Sequence, residues 1–250
     1  MAGHNKWSKV KHIKAVVDAR KGKVFSKIAR ELTIAAKSGG GDADMNPRLR
    51  TAIGSAKAAN MPSDNVERAI KKGLGELDGV MMEEVTYEGY APGGVAMLID
   101  CVTDNKNRSF SDVRICFNKG GGSMGSVGAV AHMFQRKGEI KIPAAAASED
   151  AVMEAALESG ADDVLIDADE HIIYTAPDRL YAVANGIKER GLTAESIKLV
   201  YVPSTVITLT DVDVARQVLK LYDNLDDLDD TQNVWANFEI DDDIVDQLEA

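Results

Sequence analysis

The sequence predicts an α+β protein: a three-helix N-terminal domain followed by two ferredoxin-like α+β domains, one inserted in the other. Three observations carry this. Helical periodicity with a basic stripe runs through the first part of the chain. After Gly79 the pattern turns to short strands alternating with helices, and between 136 and 203 six segments follow the order strand, helix, strand, strand, helix, strand. The expected boundaries are 1–79 for a basic helical domain with an extended leader, 80–135 plus 204–240 for a discontinuous α+β domain, 136–203 for the inserted domain, and 241–250 for an acidic tail. A length of 250 residues with 45% apolar content is enough for several small cores.

The elements follow in order. From Lys21 to Ser38 the chain reads as a helix, with Val24, Phe25, Ile28, Leu32, Ala35 and Ala36 on one side. Lys23, Lys27, Arg30 and Lys37 lie opposite, within an arc of about 80 degrees. Ile34 falls inside that basic arc. Pro47 suits the first turn of a second helix reaching about Asn60, which places Arg50 and Lys57 away from Leu49, Ile53 and Ala56. Asp64 and Glu67 suggest a capping box for a third helix, which turns Val66 and Ile70 inward and Arg68, Lys71 and Lys72 outward. Pro92-Gly93 suits a turn between two strands, and a helix is expected from Ser109 to Lys119. The segment "GAVAHMF" reads as a strand. Beyond the insert, "TVITL", a helix from about Asp211 and "NVWANFEI" supply strand, helix and strand, with Trp235 on a core face. "IDDDIVDQLEA" reads as a solvated or loosely docked end.

Charge separates the parts. Residues 1–73 carry 16 Lys and Arg against 6 Asp and Glu, and the remainder 13 against 34, so a +10 segment is joined to a −21 body in a chain of net charge −11. Phosphates attract the first and are repelled by the second, which suits a polyanion binder that touches its polymer with one part only. Ordinary solvated faces interleave Glu with Lys at i, i+4, and the first helix offers only Glu31 for this. The stripe therefore reads as answering to an anion outside the protein. The leader adds Lys6, Lys9, Lys11 and Lys14 around Trp7, whose ring could stack on a base or pin the leader to the helices. Its lysine-rich composition reads as mature protein rather than an address label, and no run is apolar enough to span a bilayer, so the expected location is cytoplasmic.

Catalytic motifs fail on context. "KGGGSMGSVG" satisfies both G-x-G-x-x-G and, at Gly121, Ser123 and Gly125, G-x-S-x-G, but each motif must follow a strand and open a helix. Here a helix precedes and a strand follows. The loop remains a helix stop, or a nest of amides beside Lys119 for a phosphate. The four histidines and two cysteines form no ligand spacing, so no metal and no cofactor is expected.

"MAGHNKWSKVKHIKAVVDARKGKVFSKIARELTIAAKSGG", "MPSDNVERAIKKG", "YEGYAPGGVAMLIDCVTDNKNRS" and "FNKGGGSMGSVGAVAHMF" together resemble the YebC family, which is related to the mitochondrial translational activator of cytochrome c oxidase. The resemblance implies an N-terminal helical domain followed by two α+β domains, one inserted in the other. It also implies a probable transcriptional regulator that binds DNA; members have been assigned as well to translation at ribosomes stalled on proline-rich stretches. Onto this sequence it carries Lys21, Lys23 and Lys27 as nucleic-acid-facing residues, with Asn105, Asn107, Arg108 and the Lys119-Gly120-Gly121 loop as shared polar blocks. Ala91, Ala129 and His132 depart from the family pattern.

The expected function is a non-enzymatic nucleic-acid-binding regulator of gene expression, its partner DNA or ribosomal RNA. The alternative is a ribosome-associated translation factor, and a weaker one is a hydrolase at Ser123. No recognition-helix pattern and no dimerisation heptads are apparent, so the residues match a ribosome factor somewhat better than a transcription factor; a monomer is expected.

Overall fold

The structure, a computed structural model, describes residues 20–77 and 81–249. They form two compact units, one of the residues up to Met133 with those from Thr205 onward, the other of Phe134–Ser204.

The first unit begins with three helices, α1 (Arg20–Gly39), α2 (Pro47–Ala58) and α3 (Ser63–Gly73). Leu32, Ala35, Ala36, Leu49, Ala52, Ala56 and Ala69 form their core. Asn46 sets the turn between α1 and α2. Its Oδ1 accepts from Leu49 N at 3.1 Å, capping α2, while its Nδ2 donates to Ala35 O and Gly40 O, both at 2.8 Å. Helices α1 and α3 meet at Gly73, where a Cβ would lie 2.2 Å from Thr33 O. Thr33 Oγ1 donates across the same contact to Ala69 O at 3.1 Å. The capping box expected at α3 is absent: Pro62 occupies the cap, and no side chain bonds to the first turn.

Strands β1 (Glu83–Tyr90) and β2 (Ala96–Thr103) form a hairpin, followed by α4 (Lys106–Lys119) and the two-residue strand β3 (Ser123–Met124). The hairpin turns at Pro92–Gly94, with Gly93 at φ 74°. Helix α4 starts three residues ahead of the expected Ser109, because the Asn105 side chain caps its first turn. The "GAVAHMF" segment is not a strand. It runs through turns into a short 3-10 stretch at Ala131–Met133, its amides committed to a side chain described below.

The second unit comprises β4 (Phe134–Pro143), α5 (Glu149–Ser159), β5 (Asp163–Ile166), β6 (Glu170–Thr175), α6 (Leu180–Glu189) and β7 (Ser196–Pro203). Its sheet runs β5-β6-β4-β7, antiparallel throughout, which is the ferredoxin-like arrangement. Ile140, Ile142 and Ile173 project from the sheet onto Val152, Ala156, Leu180, Val183 and Ile187 of its helices.

The chain then completes the first unit with β8 (Ile207–Leu209), α7 (Val212–Asp226), β9 (Thr231–Ala236), β10 (Phe238–Ile240) and α8 (Asp242–Glu249). Strand β9 joins the sheet β3-β1-β2-β9, whereas β8 pairs in parallel with β10 as a separate ribbon. Asn237 causes the split. Buried at the break, it accepts from Ala96 N at 2.7 Å and donates to Thr205 O at 3.3 Å, so "NVWANFEI" is two strands. Phe117 of α4 and Leu221 of α7 cover the sheet with Met97, Ile99 and Val234. Val234, not Trp235, is the core residue of β9; the Trp235 indole donates to Asp100 Oδ2 at 2.9 Å. The acidic end is a docked helix with one solvated face: Ile244, Val245 and Leu248 of α8 pack on this core, Asp242, Asp243 and Asp246 face water, and Arg216 donates to Gln247 O at 2.7 Å.

Replacing Gly73 by Ala forces a methyl against the Thr33 carbonyl and is expected to cost about 1–3 kcal/mol. Thermal unfolding checks this through a lowered midpoint.

Candidate nucleic-acid interface

The basic stripe of α1 faces this chain's own carboxylates. Lys23 Nζ lies 3.0 Å from Asp227 Oδ1, Lys27 Nζ 3.0 Å from Asp226 Oδ1, and Arg30 Nη2 3.4 Å from Asp230 Oδ1. Lys37 donates to Met82 O at 2.8 Å. Ile34, set among these cations, is only 3% exposed. The stripe thus has a counter-charge within the chain, which its helical periodicity does not show. Its counter-charge lies about 200 residues downstream, in "DNLDDLDD" at the end of α7. Periodicity locates a face but not what the face meets. Ile34 inside the stripe is consistent with this contact, but a single apolar residue on a polar face is too common to have signalled it.

Asp230 organises this contact. Its carboxylate is buried and accepts from Thr103 Oγ1 at 2.9 Å, from Arg108 Nη2 at 2.8 and 3.0 Å, and from Arg30. Its carbonyl accepts from Val102 N at 2.8 Å. Arg108 also binds Asp104 at 2.8 Å, and its bonds to the two carboxylates hold the guanidinium more firmly protonated than usual. Asn105 Oδ1 accepts from Asn107 N and Arg108 N, both at 3.1 Å, which caps α4. Both residues are thus engaged in holding the first unit together. Arg48, which the sequence reading passed over, bridges Glu31 at 2.7 Å and Glu84 at 2.7 Å.

The glycine loop is similarly occupied. Lys119 is the exposed last residue of α4. Beyond it, the amides of Gly120, Gly122 and Gly125 donate to Cys116 O, Phe117 O and Glu88 O at 2.8–2.9 Å. The amides of Gly128, Val130 and Ala131 donate to the Glu88 carboxylate at 2.6, 2.7 and 2.9 Å. The amides cradle an anion at residues 128–131 rather than beside Lys119, and that anion is the Glu88 side chain of β1. Burial opposes the Glu88 charge, yet the three amides outweigh it and hold the carboxyl below its ordinary range. Ser123 sits in β3, paired with Tyr90. Neither described histidine reaches it: His132 Nδ1 lies 3.4 Å from Gly128 O, and His171 Nε2 lies 3.3 Å from Ala147 O in the other unit.

Cations with no ion pair or side-chain hydrogen bond among the described residues remain on the helical domain. Arg50 and Lys57 project from α2, and Arg68 and Lys71 from α3; all four are exposed. Lys21 lies near the start of α1. Lys6, Trp7, Lys9, Lys11 and Lys14 fall outside the described residues.

The family profile described as the TACO1/YebC protein N-terminal domain matches residues 5–76, and that described as the TACO1/YebC second and third domain matches residues 82–238. A protein of Akkermansia muciniphila, named a probable transcriptional regulatory protein, is 52% identical over 250 residues, covering 99% of this chain and 100% of its own. One of Aquifex aeolicus with the same name is 49% identical, covering 99% and 100%. A crystal structure of a conserved hypothetical protein of Aquifex aeolicus superposes with a TM-score of 0.85 at 49% identity, covering 91% of this chain and 94% of that one.

Two outcomes follow from this geometry. Asp230→Ala leaves Arg30 and Arg108 without their shared carboxylate and is expected to cost roughly 3 kcal/mol, read by urea unfolding. Because the Glu88 carboxyl is depressed when folded, its contribution is complete above the unfolded value of 4.5 and is lost as pH falls through the folded one. The melting temperatures of wild type and Glu88→Gln are therefore expected to differ at pH 7 and to converge in acid.

Proposed function

The chain belongs to the TACO1/YebC family, and from that footing we propose that it is a non-enzymatic, nucleic-acid-binding regulator of gene expression that grips phosphate backbones through its helical domain. The names of its relatives support a regulatory role. Binding to nucleic acid rests on one observation above all. Once the stripe of α1 is matched internally, the exposed Arg50, Lys57, Arg68 and Lys71 still stand without carboxylate partners among the described residues. Arg50 and Lys57 share a helix that has no acidic residue, and Arg68 and Lys71 form no ion pair with Asp64 or Glu67 four residues before them. Such same-sign charge is relieved by a polyanion. Lys6, Trp7, Lys9, Lys11, Lys14 and Lys21 are further candidate contacts by sequence alone, as is Lys119 at the end of α4. No described helix is long and apolar enough to cross a membrane, and the proposed place of action is the cytoplasm.

Structured RNA is the second reading. The free cations are Lys and Arg, which meet phosphates; they are not accompanied by a row of Asn or Gln suited to base edges. Backbone contact without a base code suits ribosomal RNA, recognised by shape, and so suits a translation factor as well as a DNA binder.

Reversing Arg50, Lys57, Arg68 and Lys71 to Glu is expected to weaken binding at least about tenfold at low salt. It should also flatten the salt dependence by roughly 0.9 per lost DNA contact and 0.7 per lost single-strand contact. Titration of a DNA duplex and a ribosomal RNA fragment across several salt concentrations checks this. Unchanged affinity for both would sink the proposal, and the polymer bound more tightly decides between the readings.

A further inference from the structure

We infer that Asp226 and Asp227 act as an internal stand-in for backbone phosphates, covering Lys23 and Lys27 until nucleic acid displaces them. This rests on the nucleic-acid reading above and deepens it into a device that regulates the same surface.

The ion pairs along α1 are graded. At the outer end, Lys23 and Asp227 have side chains 46% and 72% exposed. In the middle, Lys27 and Asp226 fall to 26% and 34%. At the inner end, Arg30 and Asp230 fall to 18% and 8%. Solvent-facing ion pairs contribute little because water competes for both partners, and for that reason they exchange readily. A buried pair with further hydrogen bonds does not, because breaking it strands a desolvated charge. Asp230 is held by Thr103, Arg108 and the Val102 amide as well as by Arg30. The inner pair is thus a fixed anchor, and the outer pair is freely exchangeable. The middle pair, half-buried but held by the one ion pair alone, exchanges less readily than the outer and more readily than the inner.

The chemistry of the exchange favours a polyanion. Asp226 and Asp227 each present a carboxylate 3.0 Å from a lysine ammonium, the contact a phosphate oxygen would make. Lysine is a flexible point charge that can swing from carboxylate to phosphate without backbone motion, whereas Arg30 at the anchored end is a rigid fork. A phosphate chain reaching the outer end of α1 meets two cations held in place by weak internal ligands. The acidic body then tunes affinity in two ways, by general repulsion and by direct competition at these two lysines.

The test separates those two effects. Asp226→Asn/Asp227→Asn is compared with Glu154→Gln/Glu189→Gln, which removes the same charge from exposed positions on α5 and α6, and both with wild type. The probes are a DNA duplex and a ribosomal RNA fragment, titrated at several salt concentrations. The paired variant is expected to bind more tightly than its charge-matched control, by about two- to thirtyfold, the range that two released ion pairs of modest strength allow. Equal tightening in both variants overturns the inference and leaves the nucleic-acid reading standing. Absence of binding in all three proteins overturns both.

Discussion

A carboxylate buried among two guanidiniums and a threonine hydroxyl is the constraint on which the first unit turns. Asp230 cannot be desolvated alone, since a buried charge must be matched by neighbours or shed. Its matches come from three separate places: Arg30 on α1, Thr103 at the end of β2, and Arg108 in the first turn of α4. Satisfying one side chain therefore brings together a helix of the N-terminal domain, the hairpin and the C-terminal part of the chain. With Arg30 placed, the helical repeat carries Lys27 and Lys23 along the same edge to Asp226 and Asp227.

Seen from this centre, the legible parts of the sequence are those whose patterns close locally. The helices around Leu32, Leu49 and Ala69 follow their own periodicity, and the insert shows its order because each of its strands and helices carries a complete apolar face. What escaped depends on partners far along the chain. Glu88 on β1 recruits the amides of Gly128, Val130 and Ala131, and so converts an apolar segment with strand-like composition into turns. Asn237 breaks a strand because it serves Ala96 and Thr205. The terminal acidic residues hide an apolar ridge at Ile244, Val245 and Leu248 that composition alone reads as solvated.

The candidate site shows the same division. Counting charge identified which part of the chain is cationic, and it remains the strongest pointer to a polyanion. Counting could not say which cations the body neutralises. Lys23, Lys27 and Arg30 are balanced internally, whereas the scattered Arg50, Lys57, Arg68 and Lys71 form no ion pair among the described residues. Asn105 and Arg108 carry a second lesson. A polar block shared across a family marks a helix cap and a buried ion pair as readily as a ligand contact.

The separation between the stripe and its acidic partners also orders events in time. Lys23 and Asp227 are 204 residues apart, and the whole insert is made between them. At a synthesis rate of about 5–20 residues per second, roughly 10 to 40 seconds pass between the two. For that interval the newborn helix shows its bare cations beside the ribosome, which is itself a body of RNA, and only completion of the chain supplies the aspartates that quench them.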